Sequence, residues 1–89
     1  MATLLVKQSV KDFDAWKKVF DSVEDIRKSS GERSYQIYRK YADGNDMVIM
    51  FEWDTAENAR KYFQSPQLKS AVEKAGVIGI PKPYSVSEV

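Results

Sequence analysis

Trp16, Phe20, Tyr35, Phe51, Trp53, Tyr62 and Phe63, with Arg39, are the side chains of this 89-residue chain from which a site can be built. Aromatic rings at helical or alternating spacing make either an ordinary core or the dry walls of a cavity for a small aromatic compound. An arginine at the mouth of such a cavity would hold an anion by charge-assisted hydrogen bonds. Much other chemistry is excluded by what the sequence lacks. Without cysteine there is no thiolate nucleophile, iron–sulfur cluster or zinc–thiolate site. Without histidine the commonest general base, the commonest transition-metal ligand and the usual axial ligand of haem are all missing. A metal would have oxygen ligands alone. The run "ADGND" (Ala42 to Asp46) resembles a fragment of a calcium loop but lacks the alternating acids and closing glutamate, and reads as a turn. No metal and no other cofactor is expected, and no residue set declares itself catalytic.

The elements that must position these side chains can be read in order. "TLLVKQSV" (Thr3 to Val10) is strand-like. A helix follows, capped by Asp12 or Asp14. Its apolar side is Phe13, Trp16, Val19, Phe20, Val23 and Ile26, Arg27 and Lys28 suit its dipole, and Gly31 stops it. Arg33 to Tyr41 is rich in β-formers. Asp43, Gly44 and Asn45 then supply positive-φ positions for a hairpin into a strand from Met47 to Trp53. Asp54 or Thr55 caps the next helix, with Glu57 placed as in a capping box after Asp54. Ser65 and Pro66 restart the helix and Gly76 closes it. Pro81 and Pro83 discourage pairing, so the last strand is expected at Tyr84 to Val89. The order is βαββαβ: one α+β domain, residues 1–89, folded as a ferredoxin-like sandwich with a four-stranded antiparallel sheet. Ala56 and Ala59 leave room where leucines would fill. That room places an apolar pocket between helices and sheet, with Tyr35 and Arg39 at its mouth.

Alternation sorts the strands into two faces. Leu4, Val6, Ile37, Ile49, Phe51 and Val86 suit the helix side. Leu5, Lys7, Tyr38, Val48, Met50 and Glu52, with Gln36, Ser85 and Ser87, fall on the other side. Helices cover only one face, and the second set is too apolar at its centre to remain in water. A second copy of the chain is the economical cover. The expected dimer interface is Lys7, Tyr38, Val48, Met50 and Glu52, two sheets meeting face to face about a two-fold axis.

The run "MFEWDTAENARKYFQSPQLKSAVEKAGV" resembles the dimeric α/β-barrel superfamily, and within it the antibiotic biosynthesis monooxygenase-like proteins. The shared pattern is a strand ending in Glu52-Trp53-Asp54, an alanine-rich helix, then Ser65-Pro66 and a short second helix. "KDFDAWKKVFDS" resembles the first-helix segment of a small branch of that group. The resemblance implies pairing into a dimeric α/β barrel and a cofactor-independent monooxygenase acting on a small electron-rich aromatic compound. In such enzymes the substrate's own enolate or phenolate supplies the electrons, and the protein supplies a dry pocket and stabilisation of the anion. The haem-degrading branch holds iron through histidine, which this chain does not have. A non-catalytic small-molecule-binding or regulatory homodimer of the same fold needs the same pocket and no reactive group.

Composition narrows the partners. Lysine plus arginine is 14 against 13 for aspartate plus glutamate, which gives no field for a polyanion or an anionic membrane. The RNA-recognition fold shares the element order, but Met47 to Trp53 lacks the basic residue and glycines of its third-strand motif. Neither nucleic acid nor membrane is an expected partner. The N-terminal apolar run is too short for a signal sequence, and a cytoplasmic protein is expected.

Overall fold

The computed structural model describes residues 2–87 and 89, with only the backbone at 79–82. Its elements run β1 (Ala2–Val10), α1 (Phe13–Ser22), α2 (Glu24–Ser30), β2 (Glu32–Arg39), β3 (Asp46–Trp53), α3 (Ala56–Phe63), α4 (Pro66–Ala75) and β4 (Val77–Val86). The strands form one antiparallel sheet in the order β2-β3-β1-β4. This is the α+β ferredoxin-like sandwich that the sequence implies. Leu4 pairs with Phe51 and Val6 with Ile49, so the two central strands present one apolar face together. Trp16 and Phe20 of α1, Ala59 and Tyr62 of α3 and Ala75 of α4 pack onto that face.

Local chemistry explains where the elements start and stop. Asp12 caps α1 by accepting from the Asp14 N–H at 3.0 Å. Thr55, not Asp54, caps α3, accepting from the Asn58 N–H at 3.1 Å. The Asp54 carboxylate instead accepts from the Thr55 N–H at 2.7 Å and from the Asn58 amide. Ser65 caps α4 with Pro66 as its first residue, and Gly76 ends it at φ 73°.

The expected single first helix is two. The chain breaks at Val23 (φ −106°, ψ 14°), which separates α1 from α2. In an unbroken helix the Phe20 carbonyl would accept from residue 24. Here it accepts from the Val23 N–H and from a guanidinium nitrogen of Arg27. Arg27 of α2 is buried and Ile26 is 41% exposed, the reverse of the sequence reading.

The hairpin also differs from expectation. Gly31 and Gly76 alone take positive φ among the described residues, so neither Gly44 nor Asn45 does. The turn is closed by the Asp43 carboxylate, which accepts from the Asn45 N–H at 3.0 Å. The Arg39 guanidinium lies against Gly44, its Nε donating to the Gly44 carbonyl at 2.8 Å.

The last strand begins at Val77, well before Tyr84. It pairs with β1 through Lys82 and Pro83, with a bulge between Lys7 and Ser9. β4 is an edge strand. Pro81 and Pro83 are two residues apart, so their nitrogens face the same side of the strand. On an edge, that side can be the open one, where no donor is needed. The register sets Thr3 against Val86 and Leu4 against Ser85. Val86 therefore lies on the uncovered face and Ser85 on the helix side, the reverse of their expected placement.

Candidate functional site

A cavity of about 70 Å³ lies between the helices and the sheet. Trp16, Val19 and Phe20 of α1, with Val23 at the break after it, form one wall, and Val6, Ile49 and Phe51 the sheet wall. Tyr62 and Phe63 close it from α3. Leu68, Ala71, Val72 and Ala75 close it from α4. The helical spacing of 16, 19 and 20 turns these α1 side chains to one face, and strand alternation brings Ile49 and Phe51 up to meet them. The rings hold one another in place. Trp16 stacks on Phe20 at 4.8 Å between centroids, and Phe51 meets Phe63 edge-on at 5.8 Å.

The structure thus gathers Trp16, Phe20, Phe51, Tyr62 and Phe63 of the expected site around one space. Three others lie elsewhere. Trp53 is wholly buried behind the wall, 5.3 Å from Tyr62 and 6.1 Å from Phe63. Tyr35 meets Phe20 edge-on at 4.9 Å without lining the cavity. Arg39 ends β2, lies 3.9 Å over the Phe13 ring, and rims an open hollow of about 730 Å³ with Lys7, Lys40, Val48 and Ile78. It is not at the cavity mouth, because the Gly44 carbonyl and the Phe13 ring hold it at the hairpin. The expected room under α3 is also displaced. Ala59 is fully buried in solid packing and Ala56 lines a separate outer groove, so the small residues at the cavity are Ala71 and Ala75 of α4.

The cation at the cavity is Arg27, which the sequence reading assigned to the helix dipole. It is 1% exposed. Its Nε donates to Glu32 Oε2 at 2.6 Å, and Glu32 is itself 5% exposed. Its Nη1 donates to the Phe20 carbonyl, and its guanidinium carbon sits 3.6 Å over the Phe20 ring. Its Nη2 is buried and has no hydrogen-bond partner among the described residues. The same holds for Trp53 Nε1. Burial raises the Glu32 carboxyl above its ordinary value, with the Arg27 charge opposing the rise. Burial likewise raises the Tyr62 phenol. The signal for Arg27 was present in the sequence. Positions 16, 20, 23 and 27 continue one helical stripe, and a carboxylate follows at Glu32.

The opposite face of the sheet carries no helix. Leu5, Val48 and Met50 are half-buried at its centre, and Tyr38, Ile78, Tyr84 and Val86 are exposed around them. Glu52, at one end of this face, accepts from the Thr3 hydroxyl at 2.7 Å. No cluster of acidic side chains that could hold a metal ion exists among the described residues. No helix there is long and apolar enough to cross a membrane.

The fold is shared with solved structures. SnoaB, a cofactor-independent oxygenase from Streptomyces nogalater, superposes with a TM-score of 0.75 at 13% identity, covering 99% of this chain and 94% of its own. A conserved protein from Methanosarcina mazei Go1 gives 0.74 at 14% identity, with 99% and 92% covered. Rv0793 from Mycobacterium tuberculosis gives 0.67 at 14% identity, with 100% and 96% covered. Identities this low speak for the fold alone. No curated protein sequence matches significantly. The profile described as antibiotic biosynthesis monooxygenase matches residues 8–74, most of the chain, and the chain belongs to that family.

Proposed function

We propose that this protein binds a small, electron-rich aromatic compound in the cavity between helices and sheet and oxidises it with dioxygen without a cofactor. The aromatic-walled cavity is the observation that carries this reading. SnoaB, which has the same fold, is described as a cofactor-independent oxygenase. The chemistry asks little of the protein beyond a dry, oriented site, because the substrate's enolate or phenolate supplies the electrons. At about 70 Å³ the space is smaller than the roughly 150 Å³ cavity known to admit benzene. A ring therefore enters by displacing the half-buried Leu68 and Val72 of α4.

One observation favours a second reading, a binding protein without turnover. Among the described residues lining the cavity, the polar ones are Gln8, Arg27 and Tyr62, with no carboxylate to take a proton. Oxygen uptake separates the two. Wild-type protein with a panel of planar phenols is expected to consume oxygen with at least one of them. Saturable binding with no uptake across the panel would establish the binding protein and sink the oxygenase.

The same proposal includes a homodimer formed through the uncovered sheet face, supported by the apolar side chains left there. It also includes a cytoplasmic setting, supported by the lack of cysteine. Dimer and cavity use opposite faces of one sheet, so the two functions are separable by mutation.

A further inference from the structure

We infer that the open hollow at the hairpin end of the uncovered sheet face is a second ligand site, and that it takes a small phosphate monoester with an apolar body. Gln8 alone lines both this hollow and the aromatic cavity, so the site stands whether or not the cavity binds a phenol.

The hollow measures about 730 Å³, the size of a small-molecule site. Strand pairing builds it. Lys7 pairs with Val48 and Val48 with Tyr38, so the three form one row across the uncovered face. Arg39 and Lys40 bring two more cations to the same space where β2 ends. None of the three cations is in an ion pair among the described residues. The one carboxylate at the hollow is Asp46, which accepts from the Ser9 hydroxyl. Three cations against one acid leave an excess of two charges, in a chain whose net charge is only +1. Like charges gathered around a concave space repel one another and concentrate an anion there. Arg39 is already oriented, by its bond to the Gly44 carbonyl and by the Phe13 ring. The apolar part of the hollow is Val48, Ile78 at 56% exposure and Tyr38 at 55%. The Tyr38 hydroxyl is taken up in donating to Gln36 at 3.0 Å, so its ring is what remains for a ligand. Exposed apolar surface beside unpaired cations fits a ligand with an anionic head and an apolar body. A phosphate monoester carries about two negative charges near neutral pH, which matches the excess. Its several acceptor oxygens suit one arginine and two lysines. A carboxylate would answer only half of that charge.

The test is calorimetric titration with phenyl phosphate, with inorganic phosphate as the head alone and benzoate as the same ring with one charge. Wild-type protein is expected to bind phenyl phosphate about tenfold or more tighter than either. Lys7→Gln combined with Lys40→Gln changes two exposed side chains, so the melt is expected to hold while phenyl phosphate affinity falls by about tenfold or more. Lys18→Gln combined with Lys69→Gln removes the same charge from exposed positions on α1 and α4. It is expected to leave the affinity within about twofold of wild type, because exposed charges at that remove are screened. Saturating 4-nitrophenol, a planar phenol for the cavity, is expected not to displace phenyl phosphate. Phenyl phosphate that binds no tighter than inorganic phosphate or benzoate overturns the inference. Equal losses in the two double variants overturn it as well, since they would reflect overall charge and not a site. Displacement by 4-nitrophenol would put the ligand in the cavity and also overturns it. Lys7, Tyr38 and Val48 belong to the face proposed for the dimer, so sedimentation is repeated in saturating phenyl phosphate. An unchanged oligomeric state is expected, and dissociation by the ligand would make the second copy the occupant of the hollow and overturn the inference. Phenyl phosphate binding by a protein that takes no phenol upholds this site and removes the cavity reading alone.

Discussion

At the scale of single residues, Arg27 and Glu32 set the energetics of the site. Their pair is nearly dry, so breaking it from one side is costly. Arg27→Ala is expected to lower stability by about 3–5 kcal/mol, read by urea unfolding, because a carboxylate is left buried without its partner. Glu32 also ties stability to pH. Its carboxyl is raised in the folded chain by burial, so the folded state keeps the proton to a higher pH than the unfolded state, whose value is near 4.5. The stability this group contributes is complete below the unfolded value and is lost as pH rises through the folded one. Glu32→Gln cannot titrate. Wild type should therefore lose stability relative to that variant as pH is raised from below 4.5, and paired urea titrations read the difference directly. A flat difference, or one of opposite sign, would show that the Arg27 charge outweighs burial. The residues themselves were only partly legible. Trp16, Phe20, Phe51, Tyr62 and Phe63 were found because periodicity reports which face a side chain takes. Arg27 was missed because a charged residue in the last turn of a helix has a ready surface explanation, although positions 16, 20, 23 and 27 share one helical stripe.

At the scale of elements, caps and stops were legible because their signals are local: Asp12, Ser65 and Gly76 act within a turn of where they stand. Features that depend on a partner element were not. The break after Ser22 is held by the Phe20 carbonyl meeting Arg27, and the Val77 start of β4 depends on its being an edge strand. Neither is visible in a window of sequence. The same distinction moves the cavity's floor from α3 to α4. Ala59 is packed solid, so enlarging it would strain the core and not fill the site. Ala71 lines the cavity and is half-buried. Ala71→Phe is expected to occupy the space and abolish 4-nitrophenol binding, while the melting temperature stays within a few degrees of wild type. Retained binding in that variant, measured by equilibrium titration, would place the ligand elsewhere on the protein.

At the scale of the whole molecule, the sheet divides the work between two faces. The helix face makes the core and the cavity. The other face holds Leu5, Val48 and Met50 half-buried with Tyr84 and Val86 exposed beside them, and nothing among the described residues covers it. Alternation alone made this face legible in β1, β2 and β3. It failed in β4, where Val86 and Ser85 exchanged sides, because a one-residue difference in register reverses every side chain and no turn fixes that register. The correction adds Val86 and Tyr84 to the apolar set and strengthens the case for a second copy. Met50 sits at the centre, paired with Leu5 on one side and Gln36 on the other. Met50→Lys would place two like charges near a two-fold axis, each losing its water, at a cost on the order of several kcal/mol. Dimer dissociation should rise by about a hundredfold or more. Sedimentation at micromolar concentration is expected to show a dimer for wild type and a monomer for the variant. Because the cavity lies across the sheet, the monomeric variant is still expected to bind 4-nitrophenol. A wild type that sediments as a monomer would leave the apolar face without the partner proposed for it. A monomeric variant that loses the ligand would instead show that the second copy helps to hold the cavity closed.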